Sequence, residues 1–159
     1  MFFDPSAFPF TKELEESWLE VRRELENLPE GAWAAWPERA LYGSGWNTFG
    51  FYFFGRKFEQ NCVCCPQSAR LVERIPGMVT AGFSYMAPGT HIRPHRGYSS
   101  TVLRCHLGLV VPPNCGIRVG SETREWAEGK CMIFDDTQEH EAWNRSGKPR
   151  AILLLDFSK

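Results

Sequence analysis

The chain has 159 residues, 43% hydrophobic and 23% charged, with 18 Lys and Arg against 19 Asp and Glu for a net charge of −1. That length supports one domain with a sizeable core, taken here as residues 1–159. The balanced charge excludes a basic nucleic-acid footprint as the default, and the composition excludes a disordered chain. Aromatic residues, at 14%, point to a core or pocket lined by flat rings.

No apolar run reaches the ~18 to 20 residues of a membrane span, and the opening Met1-Phe2-Phe3-Asp4-Pro5 has no secretory pattern. The expectation is a soluble, cytoplasmic protein whose six cysteines remain thiols. Between Thr11 and Leu28 the residues Leu14, Trp18, Val21, Leu25 and Leu28 recur at helical spacing, which predicts one helix over about 11–28 with Thr11 as its N-cap. Residues 30–50 show no period and read as a loop-rich stretch that includes Trp46. GFYFFG at 50–55 reads as a strand, and Pro66 to Ile75 as a short helix with Leu71, Val72 and Ile75 inward. Cys62, Cys64 and Cys65 lack a second ligand pair, so buried or surface thiols are favoured over zinc.

From about 78 to 157 the pattern changes to short β-rich runs divided by Pro, Gly and Asn: VTAGFSYMA, TVLRCHLGLVV, GIRV, KCMIFDD, HEAWN and RAILLLDF. Such spacing predicts a mainly β core with flanking helices, in a sandwich or jelly-roll arrangement. Cys105 and Cys131 fall inside these strands as small core residues.

All four histidines (91, 95, 106 and 140) lie in this half. Non-haem iron sites commonly use two His and one carboxylate. Here His95-Arg96-Gly97 has glycine where the carboxylate would stand, and His140 is a distant second imidazole, leaving two protein ligands. Arg104 and Arg150 offer planar forks suited to the carboxylates of a dicarboxylic acid, and Arg104 and His106 share one face of their strand. An Arg paired with a carboxylate at the barrel rim is the other reading of either guanidinium.

The stretches FSYMAPGTHIRPH, RCHLGLVVPPNCGIRVG, WAEGKCMIFDDTQEHEAWN and RAILLLDF resemble the aspartyl/asparaginyl β-hydroxylases, and FDPSAFPFTKELEESW with Gly45-Trp46 extends the likeness more weakly over nearly the whole chain. The resemblance implies a double-stranded β-helix of the jelly-roll, cupin-like kind and an Fe(II)- and 2-oxoglutarate-dependent dioxygenase that uses O2, hydroxylates an unactivated carbon and releases succinate and CO2. It implies His95 and His140 as metal ligands, Ser84 and Arg150 at the distal carboxylate of 2-oxoglutarate, and Arg104 and His106 near the carboxylate beside its keto group. Asp135, Asp136 and Glu139 could orient His140. Peptide-modifying members read Arg-x-Arg-x-His where this chain has Val102-Leu103-Arg104-Cys105-His106, so an anion contact is missing at Val102. Free or carrier-bound amino acids, peptidyl Asp or Asn and lipid acyl chains stay open as substrates. Two alternatives remain: a cupin-like metal or ligand-binding module without oxidative turnover, and an iron halogenase that uses the space at Gly97.

Overall fold

In the computed structural model, which describes residues 1–159, strands that succeed one another from the middle of the chain alternate between two sheets. Strands β1 (Phe2–Phe3), β2 (Ala34–Ala35), β3 (Trp46–Phe53), β4 (Arg56–Lys57), β5 (Met78–Met86), β7 (Val102–Val110), β10 (Cys131–Phe134) and β12 (Arg150–Ser158) form the large sheet. Its order is β1-β10-β7-β12-β5-β3-β2, with β4 added to β3. Strands β6 (His91–His95), β8 (Cys115–Val119), β9 (Glu122–Glu125) and β11 (His140–Asn144) form the small sheet in the order β6-β11-β8-β9. Every pairing between these strands is antiparallel, and the alternation makes a double-stranded β-helix.

Period-2 alternation gives the large sheet two different faces. On β7 and β12, Leu103, Cys105, Leu107, Leu109, Leu153, Leu155 and Phe157 turn to one side and join Phe49, Phe51 and Phe83 in the larger core. The helices α1 (Phe10–Glu16), α2 (Trp18–Glu26) and α4 (Pro66–Glu73) cover that side with Leu14, Val21, Leu71 and Val72. Glu24 of α2 accepts from the Gln67 and Ser68 amides, which caps the N-terminus of α4 and ties the two helices together. On the opposite face Ile152, Leu154 and Met86 meet Ile92, Ile117, Val119 and Ala142 of the small sheet. Arg104, His106, Arg150 and Asp156 project into the same space between the sheets and are buried.

Several local expectations need correction. The helix over 11–28 is two helices that bend at Ser17, where φ is −104° and ψ is 9°. The bend seats both Leu14 and Val21 on the sheet. Thr11 is not the N-cap: the helix begins at Phe10, and the Thr11 hydroxyl donates to the carbonyls of Pro5 and Phe8. The supposed loop over 30–50 contains β2 and the start of β3, because Trp46 pairs with Met86 and Thr48 with Ser84. The strand read at 50–55 ends at Phe53, where Phe54 (φ 49°) and Gly55 (φ 79°) make the turn into β4. Strand β6 lacked a sequence signal because it contains Pro94, yet it pairs only with β11, and an edge strand tolerates the missing N–H. A further short helix, α3 (Glu59–Cys64), holds Cys62; Cys62 and Cys65 are buried, Cys64 is exposed, and all six cysteines are free thiols.

Candidate active site between the sheets

The register of β6 against β11 sets His95 directly opposite His140, and their ring centroids lie 4.3 Å apart. His95 Nδ1 is 2.7 Å from the Arg93 carbonyl and His140 Nδ1 is 2.8 Å from the Gln138 carbonyl. A carbonyl only accepts, so each Nδ1 carries a proton, which in the neutral imidazole leaves the lone pair on Nε2. Burial pushes His140 down to about 4, which holds its imidazole neutral, the form that binds metals. No group of three or more His, Cys, Asp or Glu is arranged to hold a metal, so the two imidazoles stand as a pair.

The place beside His95 where the usual carboxylate would be attached is occupied from another strand connection. A Cβ on Gly97 would lie 2.1 Å from Asp136 Oδ2, and the Gly97 amide donates to the Asp136 carbonyl at 2.6 Å. Glycine is therefore what lets the Asp136 carboxylate approach. Both carboxylate oxygens are buried without a hydrogen-bond partner, and the nearest cation, Arg104 Nη2, stands 3.4 Å from Oδ2. Burial raises the Asp136 pKa, against the opposing pull of Arg104.

Arg150 is the second unsatisfied group. Its Nη2 donates to the Ser84 hydroxyl at 3.0 Å and carbonyl at 3.2 Å, and its guanidinium lies over the Trp126 ring at 4.5 Å. No carboxylate pairs with it, its Nε is orphaned, and burial pulls it down to about 9. Ser84 Oγ also accepts from Trp46 Nε1 at 2.9 Å. Trp126 Nε1 donates to His106 Nδ1 at 3.0 Å, so His106 Nε2 carries its hydrogen and is a buried donor with no acceptor. Desolvation, helped by the charges of Arg104 and Arg150, holds the His106 pKa well below its ordinary value. His95, His106, His140, Arg104, Arg150 and Ser84 thus line one chamber of about 30 Å³.

Arg104 differs from the expectation that its fork is free. Its Nε and Nη2 hold both oxygens of Asp156 at 2.7 and 2.9 Å, and Tyr98 donates to Asp156 Oδ2 at 2.9 Å. The pair with Asp156 raises the Arg104 pKa against the pull of burial. Asp156 and Tyr98 were not singled out from sequence, although Asp156 shares its strand face with Arg150 at an even spacing of six. Asp135 instead accepts from Thr137 and Lys159, and Glu139 binds Arg118, so both belong to the surface turn.

Through Trp46, Ser84, His95, Arg104 and Leu154 the chamber adjoins a cavity of about 530 Å³. Its walls are mostly apolar, with Trp36 stacked on Trp46 at 4.3 Å, and Phe53, Phe54, Phe58 and Tyr98 toward the exposed end. Glu38, Asp136 and Asp156 outnumber its one Arg.

Comparison with known proteins places these residues in context. The sequence pattern of the family Aspartyl/Asparaginyl beta-hydroxylase matches residues 15–159. The ornithine lipid ester-linked acyl 2-hydroxylase of Rhizobium tropici is 42% identical, over 99% of this chain and 60% of its own. The human aspartyl/asparaginyl beta-hydroxylase is 36% identical over 91% of this chain and 20% of its own. The chain spans less than two thirds of either relative, 60% of the first and 20% of the second. A crystal structure from a study of DMSP lyases overlays 79% of this chain and 56% of its own at TM-score 0.53 and 11% identity, a likeness of fold alone.

Proposed function

The chain belongs to the aspartyl/asparaginyl β-hydroxylase family, and from that premise we propose that it is a hydroxylase dependent on Fe(II) and 2-oxoglutarate that acts on an acyl chain. The observation that carries the cosubstrate is Arg150: a buried cation with no counter-ion is costly unless an anion arrives to pair with it. The donor chemistry fits the group. Two imidazoles, each with Nδ1 turned to a backbone carbonyl, leave Nε2 to face a metal, and a carboxylate with two unpartnered oxygens stands where a third ligand side chain would otherwise project.

When bound, iron with 2-oxoglutarate and O2 supplies the oxidation of an unactivated C–H bond, with succinate and CO2 as co-products. The chain's own residues do the rest. His95 and His140 would hold the metal, each with its Nδ1 fixed by the Arg93 or Gln138 carbonyl. Arg150 and Ser84 would take the distal carboxylate of 2-oxoglutarate, and the buried His106 Nε2–H would serve its other end. Arg104, engaged by Asp156, acts as a positioning residue that keeps Asp136 beside His95. A halide placed beside Gly97 would face the Asp136 carboxylate, which favours hydroxylation over halogenation.

The acyl substrate rests on the large cavity. Its lining is apolar, and its charged groups are chiefly acidic, so the carboxylate of a peptidyl Asp would be repelled, with Arg104 already neutralised by Asp156. The name of the 42% identical relative agrees with this choice. The test supplies Fe(II), 2-oxoglutarate and O2 with either an ester-linked acyl lipid or an Asp-containing peptide, and reads succinate and product mass. The expected outcome is one added oxygen on the acyl chain; oxygen added only to the peptide would overturn the substrate, and no succinate with either would overturn the cosubstrate.

A further inference from the structure

The β3–β4 hairpin carries an arrangement that neither packing nor the chemistry above requires. Phe53 and Phe54 stack edge to face at 4.5 Å at its tip, and Phe54 meets the Tyr98 ring at 4.9 Å. All three rings are about half exposed, and Phe58, just beyond β4, is also open to solvent. Phe54 sits at φ 49°, a left-handed conformation in which a bulky side chain is unusual and where Asn or Gly is the ordinary choice. A turn that holds an aromatic ring in that conformation, and leaves it in water, points to a role outside the fold.

The four rings also line the large cavity, so its apolar interior continues without a break to this exposed rim. Arg56 stands beside them, its guanidinium 6.0 Å from the Phe58 ring, whereas Arg96, two residues before Tyr98, donates from Nη1 to the Thr137 carbonyl at 3.0 Å. Arg56 has no carboxylate partner, whereas nearby Lys57 is held by Glu59 and Glu73. Aromatic rings next to an unpaired cation are the composition of an element that sits in a lipid interface, rings among the acyl boundary and the guanidinium at the phosphates.

We propose that the β3–β4 hairpin, with Tyr98, docks on an anionic lipid bilayer and sets the mouth of the cavity against the acyl layer, so that a chain passes from the membrane into the site without crossing water. This deepens the acyl reading above and rests on it for the fate of the chain, but not for the docking. The bilayer is preferred to a protein partner because the rings project at a narrow turn around a cavity mouth and do not form a broad flat patch.

The experiment is co-sedimentation of the full chain with phosphatidylglycerol vesicles and with phosphatidylcholine vesicles. The probes are the parent protein, the Phe53→Ser/Phe54→Asn double variant, Arg56→Glu and His95→Ala. Parent and His95→Ala are expected to pellet alike with phosphatidylglycerol. The double variant should bind at least tenfold more weakly, and Arg56→Glu several-fold more weakly, on anionic vesicles only. Asn suits the turn, and an unchanged melting midpoint confirms folding; a Phe53→Ser single variant supplies the same readout without touching the turn. A parent that stays in solution, or a double variant that pellets like the parent, overturns the docking. Concentration-dependent self-association of the parent that the double variant lacks, without vesicle binding, would give the surface to a second copy instead. Vesicle binding without oxygen added to any acyl chain would keep the docking and overturn the substrate reading.

Discussion

The two sides of the large sheet differ in how they treat polar groups. Under the helices, Phe49, Phe51, Phe83 and their neighbours exclude water, and the buried polar atoms there are matched, as where Glu24 receives the Ser68 amide and hydroxyl. Between the sheets, every buried side-chain polar atom without a partner is found: His106 Nε2, Arg150 Nε and both oxygens of Asp136. Such unmatched groups are costly in a folded core, so one face of a strand serves stability and the other is the face proposed above for binding. The Arg104–Asp156 pair sits at the border, a buried ion pair complete in itself.

Five substitutions would break or sharpen that contrast. His95→Ala and His140→Ala should each reduce succinate release to background while cooperative unfolding persists, as read by a coupled turnover assay and thermal melting. Across the sheet, Phe51→Ala should cost ~3–5 kcal/mol of stability, measured by denaturant unfolding, yet leave 2-oxoglutarate affinity unchanged in the folded fraction. Arg150→Met should show the reverse pattern. It removes a charge-assisted contact of ~1.5–3 kcal/mol, so the 2-oxoglutarate requirement should rise roughly 10- to 100-fold, while the melting midpoint holds or rises because an unpaired buried charge is gone. A fall in both would mean that Arg150 is structural. The smallest effect is expected from Gly97→Ala, where the new methyl must displace the Asp136 carboxylate: ~1–3 kcal/mol of overpacking, with metal affinity lowered more than stability.

The sequence patterns revealed the helical side of the fold and much of the site, for separable reasons. Leu14, Leu71 and Val72 announce buried helix faces because periodicity is local. His95 and His140 stood out because imidazoles are few, and Gly97 because it interrupts a familiar ligand spacing. The partner of Arg104 was hidden, since Asp156 lies 52 residues away and meets it only through the β7–β12 register. Asp136 was read together with Asp135 and Glu139 as an acid placed to orient His140, and no local spacing shows that it is buried while Asp135 sits in a surface turn. Its burial depends on Gly97 in a different connection. Strand β6 was obscured by Pro94, because edge position is a property of the sheet and not of the segment.

The central claim is that the two imidazoles and Arg150 together hold Fe(II) and 2-oxoglutarate, and it is tested most directly by anaerobic titration of the Fe(II)-loaded protein with 2-oxoglutarate under a visible spectrometer. The account predicts a weak charge-transfer band that saturates at one equivalent per chain, disappears in His140→Ala and needs far more 2-oxoglutarate in Arg150→Met. A parent protein that binds iron but develops no band would contradict it.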